Sequence, residues 1–168
     1  MSETFLNDVW SVYFHNPKDS DWTYDSYKRM GTVSTVEEFL AYNDILRPYV
    51  VHGMFFVMRE HIFPCWDDPG NINGETVSMK ILKEHVSKTW ESVAYSVLGE
   101  TFMANRSHWS HVNGVSISPK RSFCIIKIWM AQSGLINSRD DAAIPHDYTG
   151  ELVRSANADN IKNNNKTL

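Results

Sequence analysis

The sequence predicts an α+β fold, a single antiparallel sheet with helices packed against one of its faces. Two observations carry this. Short runs rich in β-branched and aromatic residues alternate with two stretches whose apolar residues recur at helical spacing. Several of the runs are joined by connections of hairpin length, which suit antiparallel neighbours rather than crossovers. No repeat, Pro/Gly/Ser-rich linker or charge block divides the 168 residues, so the reading is one domain over 1–155 and a tail over 156–168.

The elements follow in order. Residues 9–15 (VWSVYFH) form a strand that stops at the Asn16-Pro17 turn signal. A polar loop over 16–25 carries Trp22 among Lys, Asp and Ser, and 27–32 supplies a second strand. Ser34 with Glu37 three residues on is a capping-box pattern, and Val36, Phe39, Leu40 and Asn43 recur at helical spacing, so a helix runs over 35–46 until Pro48. Residues 54–59 and 76–82 read as strands, separated by an irregular loop that contains Pro64, Trp66, Asp67, Asp68 and Pro69. Ser87 caps a second helix over 88–98, with Trp90, Val93, Ala94, Val97 and Leu98 as its buried stripe and Gly99 as its stop. Strands over 112–118 and 123–130 are joined by Pro119-Lys120-Arg121-Ser122. From 156 on the chain is rich in Asn and Lys with almost no apolar residue, and is expected to be disordered.

Composition excludes several classes. With 42% apolar and 21% charged residues the chain can build a core and is not disordered as a whole. A net charge of −4 disfavours wrapping long duplexes, where affinity needs many phosphate contacts, but leaves room for a small basic patch. Cys65 and Cys124 make neither a disulfide framework nor a zinc site. The first ten residues carry acids and no apolar signal core, and the longest apolar stretch, 49–58, is broken by His52 and Gly53. A soluble, cytoplasmic protein with possible nuclear access is the expectation.

The chemistry-bearing residues are aromatic. Trp22 and Trp66 sit in polar, turn-rich loops, where an exposed indole offers a face for stacking a base, a sugar or a cation. Each loop can equally fold its Trp back onto the core. Trp10, Trp90 and Trp129 lie in apolar periodic segments and read as core, while Trp109 fits either role. Beside Trp66, the Asp67 carboxylate can accept the adjacent N1–H and N2–H donors that only guanine presents. Lys120 and Arg121 on their hairpin suit a phosphate chain, or are simply a solvated tip. His108 and His111 lack a third ligand, and Asn105-Arg106-Ser107 lacks a secretory context. No Gly-rich phosphate loop, nucleophile elbow or triad is present, so the chain reads as a non-enzyme without cofactor or metal.

Together these residues resemble the eukaryotic mRNA cap-binding translation initiation factors of the 4E family. The matching segments are VWSVYFHN, DSDW, TVEEFLAYNDI, IFPCWDD, TWESVAYSVLGETF and KIWM, in the family's order across about residues 9–130. The resemblance implies a curved sheet with helices on its convex back and the cap in the concave side. It implies that Trp22 and Trp66 sandwich 7-methylguanine, that Asp67 reads the guanine edge, and that Trp129 lies against the N7-methyl. Lys120, Arg121 and Ser118 would hold the phosphates. It further implies a monomer that binds 5′-capped mRNA, and a 4G-type scaffold or 4E-binding repressor that docks a helical motif on the back. That back surface is expected to comprise Val36, Phe39, Leu40, Trp90, Glu91 and Tyr95.

Several positions depart from the family pattern. Asp67 stands for the usual Glu, Leu40 for a Trp, and Glu91 for a Leu. The family's arginine in the strand after the Trp66 loop has no match, since Glu75 and Thr76 occupy the region. Two rival readings predict different ligands: a hydrolase of capped nucleotides using a metal on Asp67 and Asp68, and a carbohydrate- or peptide-binding module.

Overall fold

The computed structural model describes residues 2–166. Seven strands form one curved antiparallel sheet: β1 (Phe5–His15), β2 (Tyr27–Thr35), β3 (Met54–Arg59), β4 (Glu75–Leu82), β5 (Val112–Pro119), β6 (Phe123–Met130) and β7 (Val153–Ala156), in the spatial order β2-β1-β3-β5-β6-β4-β7. The period-2 pattern divides the side chains between two faces. Cys124, Ile126, Ile128 and Met130 of β6, with Phe55 and Val57 of β3, enter the main core. The alternate residues Phe56, Met58, Tyr13 and Trp129 form a smaller cluster on the opposite, concave face.

The main core is closed by α1 (Val36–Leu46) and α2 (Val86–Leu98). Phe39 and Leu46 come from α1; Val86, Trp90, Val93, Ala94, Val97 and Leu98 come from α2. Burying each such side chain is worth about 1.5–3 kcal/mol, enough that this stripe rather than helix propensity holds α2 in place. Both helix starts differ from the sequence expectation. The cap of α1 is Thr35, whose Oγ1 accepts from Glu38 N at 3.1 Å, because Glu37 is engaged by Thr4 N. A 3-10 turn over Lys83–His85 feeds α2 directly, so Ser87 lies inside the helix rather than capping it.

The end of α2 shows a device that local pattern does not reveal. Gly99 keeps a negative φ of −79°, and it is Glu100 that takes the left-handed conformation, at φ 59°. Its carboxylate is fixed there by Arg59 at the end of β3, with Nη2 to Oε1 at 2.6 Å and Nη1 to Oε2 at 3.0 Å. The same buried guanidinium donates to Asp8 at 3.0 Å and to the carbonyls of Val112 and Trp109, and lies over the rings of Trp10 and Trp109. A buried charge of this kind is tolerated because all its donors are engaged.

The tail expectation is corrected for the described residues. In place of a disordered segment from 156, β7 pairs with β4 and is followed by α3 (Asn157–Lys166). Asn157 is fully buried and its Nδ2 donates to Asn71 O at 2.8 Å, so a polar anchor does what the missing apolar residues cannot. Residues 167–168 lie outside the described residues.

Candidate functional site

On the concave face a pocket of about 460 Å³ opens between the loops. Its lining includes Trp22, Trp66, Asp67, Ser118, Lys120 and Trp129, six residues that come from four separate parts of the chain. Arg121 is not part of the lining and is exposed at the hairpin tip. Strand alternation explains the difference, because Ser116, Ser118 and Trp129 share the concave face whereas the tip projects past it.

Trp22 rests on a built support. The His15 ring is fully buried and stacks on the indole with centroids 3.8 Å apart and planes within 2°. His15 Nε2 lies 2.7 Å from the Asp21 carbonyl, which can only accept, so Nε2 donates there, and Nδ1 has no partner among the described residues. Tyr27 meets the edges of both rings. Trp22 itself stays 48% exposed, too open for a core residue.

The Trp66 loop is held by asparagines. Asn71 Nδ2 donates to the carbonyls of Phe63 and Cys65, at 3.2 and 2.8 Å. Asn113 on β5 donates to Gly70 O and to Asn71 Oδ1, at 2.7 and 2.8 Å. Asn157 of α3 completes this buried set through Asn71 O. The two adjacent carboxylates go to different tasks. Asp68 accepts from Phe63 N and Gly70 N and so shapes the loop, while Asp67 lines the pocket. Burial and the neighbouring Asp67 carboxylate push the Cys65 thiol up to about 12, leaving it a neutral wall residue.

Trp129 forms the floor, with Nε1 donating to Ser116 Oγ at 2.9 Å. Lys127, two residues before it on β6, also lines the pocket; the sequence reading does not single it out. Its Nζ lies 5.7 Å from the Trp66 ring centroid. Burial, and secondarily the charge of Lys120, hold its ammonium below the ordinary lysine range. The asparagines are also unforeseen, since a buried amide network leaves no periodic trace. Ile161 and Asn164 of α3 add to one wall.

On the convex side the expected back-surface residues separate. Phe39 and Trp90 are buried in the core and present no surface, because they lie on the sheet-facing stripes of their helices. Leu40 and Tyr95 are exposed, at 45% and 38%, and Val36 is half-buried. Glu91 is paired with Arg47 at 2.8 Å, and Asn43 Nδ2 donates to the Tyr95 hydroxyl at 3.1 Å, bridging α1 to α2. Among the described residues no group of three or more His, Cys, Asp or Glu is arranged to hold a metal, and no helix is long and apolar enough to cross a membrane.

Comparison with known proteins gives a consistent picture. The family model described as eukaryotic initiation factor 4E matches residues 5–163. Eukaryotic translation initiation factor 4E-1 of Arabidopsis thaliana is 32% identical over 131 residues, covering 74% of this chain and 54% of that protein. The chain thus spans about half the length of such relatives. Among solved structures, C. elegans eIF4E-3 in complex with the 4E-binding protein Mextli superposes with a TM-score of 0.78 at 15% identity, over 96% of this chain and 97% of that one. Ascaris suum eIF4E-3 with m7G cap gives 0.69 at 17% identity, over 79% and 76%. At these identities the likeness is one of fold.

Proposed function

Because this chain belongs to the eukaryotic initiation factor 4E family, we propose that it binds the 7-methylguanosine 5′ cap of mRNA and acts in translation initiation or its regulation. The observation that carries the proposal is the meeting of Trp22, Trp66, Asp67 and Trp129 in one pocket, although they lie up to about a hundred residues apart in the chain. Trp22 and Trp66 stack the methylated base, and Asp67 accepts from its N1–H and N2–H. Trp129 lies against the N7-methyl. Lys120 and Ser118 take the phosphates, while Arg121 adds positive charge at the approach.

The energetics suit a methylated ligand. Stacking contributes about 1–3 kcal/mol per base, and methylation places a positive charge on the ring that adds a cation–π gain of about 0.5–2 kcal/mol. Unmethylated guanine forfeits the second contribution. The protein acts by binding, without catalysis, in the cytoplasm. Its convex side, through Leu40, Tyr95 and Val36, takes a helical motif of a 4G-type scaffold or a 4E-binding repressor.

The test is tryptophan fluorescence during titration with 7-methyl-GTP and with GTP. Quenching by the methylated ligand at concentrations at least tenfold below those needed for GTP is the expected result. Equal binding of the two would overturn the sandwich, and binding of neither would overturn the cap-binding reading.

A further inference from the structure

Behind the Trp22 wall stands a side chain of the one type whose charge ordinarily changes between about pH 5 and 8. His15 is fully buried on β1 and lies outside the pocket lining, whereas Trp22 is part of it. The imidazole covers one face of the indole, with centroids 3.8 Å apart and planes within 2°. The face left to a ligand is therefore the opposite one, and a base stacked there sits one indole away from His15. Hydrogen bonds serve only one ring nitrogen: Nε2 donates to the Asp21 carbonyl at 2.7 Å and lies 3.1 Å from Ser26 Oγ, which itself donates to Thr23 O. A second proton has only Nδ1 to go to, where no acceptor stands among the described residues. The cross-strand partners are Tyr27 on β2 and Met54 on β3, and burial pushes the Tyr27 phenol up, so that both stay neutral. From the Trp22 loop the nearby charge is the Asp21 carboxylate, whose Oδ1 accepts from Thr23 N at 2.8 Å. The Thr23 hydrogen bonds hold that carboxyl below the usual carboxylate range, so it stays ionised. The remaining charges, Asp67, Lys120 and Lys127, line the ligand space.

We infer that His15 is a positioning residue that makes the preference for a cationic base depend on its own proton. The neutral ring supports Trp22 and leaves the indole's π density to the ligand, whereas the protonated ring competes for that density from the other side. This rests on the cap-binding reading and deepens it. A cation gains from an indole face through the ring's quadrupole, and one indole cannot serve two cations on opposite faces without their repelling each other through it. With an indole between them in place of water, such charges are weakly screened. Unmethylated guanine carries no positive charge and escapes the repulsion. Discrimination by methylation is therefore best at neutral pH and declines on acidification. By reciprocity, a bound methylated base opposes proton uptake by the buried ring by the same factor.

The experiment measures affinity for 7-methyl-GTP and for GTP at pH 7.5 and 5.5 in the parent, His15→Phe and His15→Ala. The phenyl ring keeps a stacked support that takes no proton, and alanine removes the support. Titration of the ligands themselves is common to all three proteins, so the readout is the parent's preference for the methylated ligand divided by that of His15→Phe. This ratio should fall by about fivefold or more at pH 5.5, the lower end of coupling between two sites. Calorimetry of 7-methyl-GTP binding at pH 6.5, in two buffers of different ionisation enthalpy, should show more proton release by the parent than by His15→Phe. His15→Ala should weaken 7-methyl-GTP binding at both pH values, without the parent's loss of preference. If the ratio is the same at both pH values and proton release is equal, His15 is only a prop for Trp22 and the inference fails while cap binding stands. If the folded parent binds neither ligand at pH 7.5, the cap-binding reading fails and the inference with it. Circular dichroism of each protein at each pH separates loss of binding from loss of fold.

Discussion

Trp66 and Asp67 are neighbours in the chain with separable contributions. Trp66→Ala removes one stacking face, and a loss of about 1–3 kcal/mol corresponds to roughly fivefold to just over a hundredfold in affinity for 7-methyl-GTP. Affinity within a factor of two of the parent would show that Trp66 is not a stacking wall. Asp67→Asn keeps the shape but presents an amide where the guanine edge needs two acceptors, so binding should weaken while unfolding temperature stays put. Lys127 makes the opposite trade. Its folded-state pKa is lowered, so the folded protein disfavours the charged form, and the penalty is present near neutral pH where the ammonium is charged. The penalty fades as pH rises through that lowered value toward the unfolded one. Lys127→Met should therefore unfold at a higher temperature than the parent at pH 7, with the difference shrinking toward pH 10.

At the scale of elements, the Trp66 loop has little periodic structure and depends on three buried amides drawn from β5, α3 and the loop itself. Asn71→Ala removes the side-chain bonds to the Phe63 and Cys65 carbonyls and to Asn113, which keep their other partners at Cys65 N, Asp68 N and Gly70 O, so each loss costs about 0.5–1.5 kcal/mol. The variant should be less stable, and it should lose cap affinity beyond what its unfolding explains, measured as 7-methyl-GTP binding well below its melting temperature. Undiminished affinity in the folded fraction would mean that Asp68 and the loop prolines suffice to place Trp66. Strands β3 and β6 and helix α1 were legible because alternation and the 3.6-residue period come from burial of one face. α3 was not, because its buried anchor is a polar residue, Asn157, and not an apolar stripe.

For the molecule as a whole, what could be read in advance was whatever recurs along the chain. Trp22 and Trp66 were legible as large aromatics placed where the neighbouring residues gave them no core to enter. The cations were half legible: Lys120 lay on a turn that announced itself, whereas Lys127 sat among isoleucines and looked like an ordinary polar alternate of a strand. Arg59 and its partners Asp8 and Glu100 are 51 and 41 residues apart, a distance at which pairing leaves no local trace. For Trp90 the periodicity pointed to the core and the resemblance to the back surface, and the structure buries it together with Phe39, because a docking surface and a core stripe are both apolar and differ only by a rotation. The sheet order also has a bearing on synthesis. β4 is made before β5 and β6 but takes its place beside β6, so Glu75–Leu82 leaves the ribosome with no partner for either edge. At roughly 5–20 residues per second, that unpaired strand waits some seconds for Phe123–Met130 to emerge. The same β6 brings Trp129 and Lys127, so the nascent chain exposes Trp22 and Trp66 while it still has nowhere to put a ligand. A growing chain therefore lacks the floor of this pocket until it has been translated through β6.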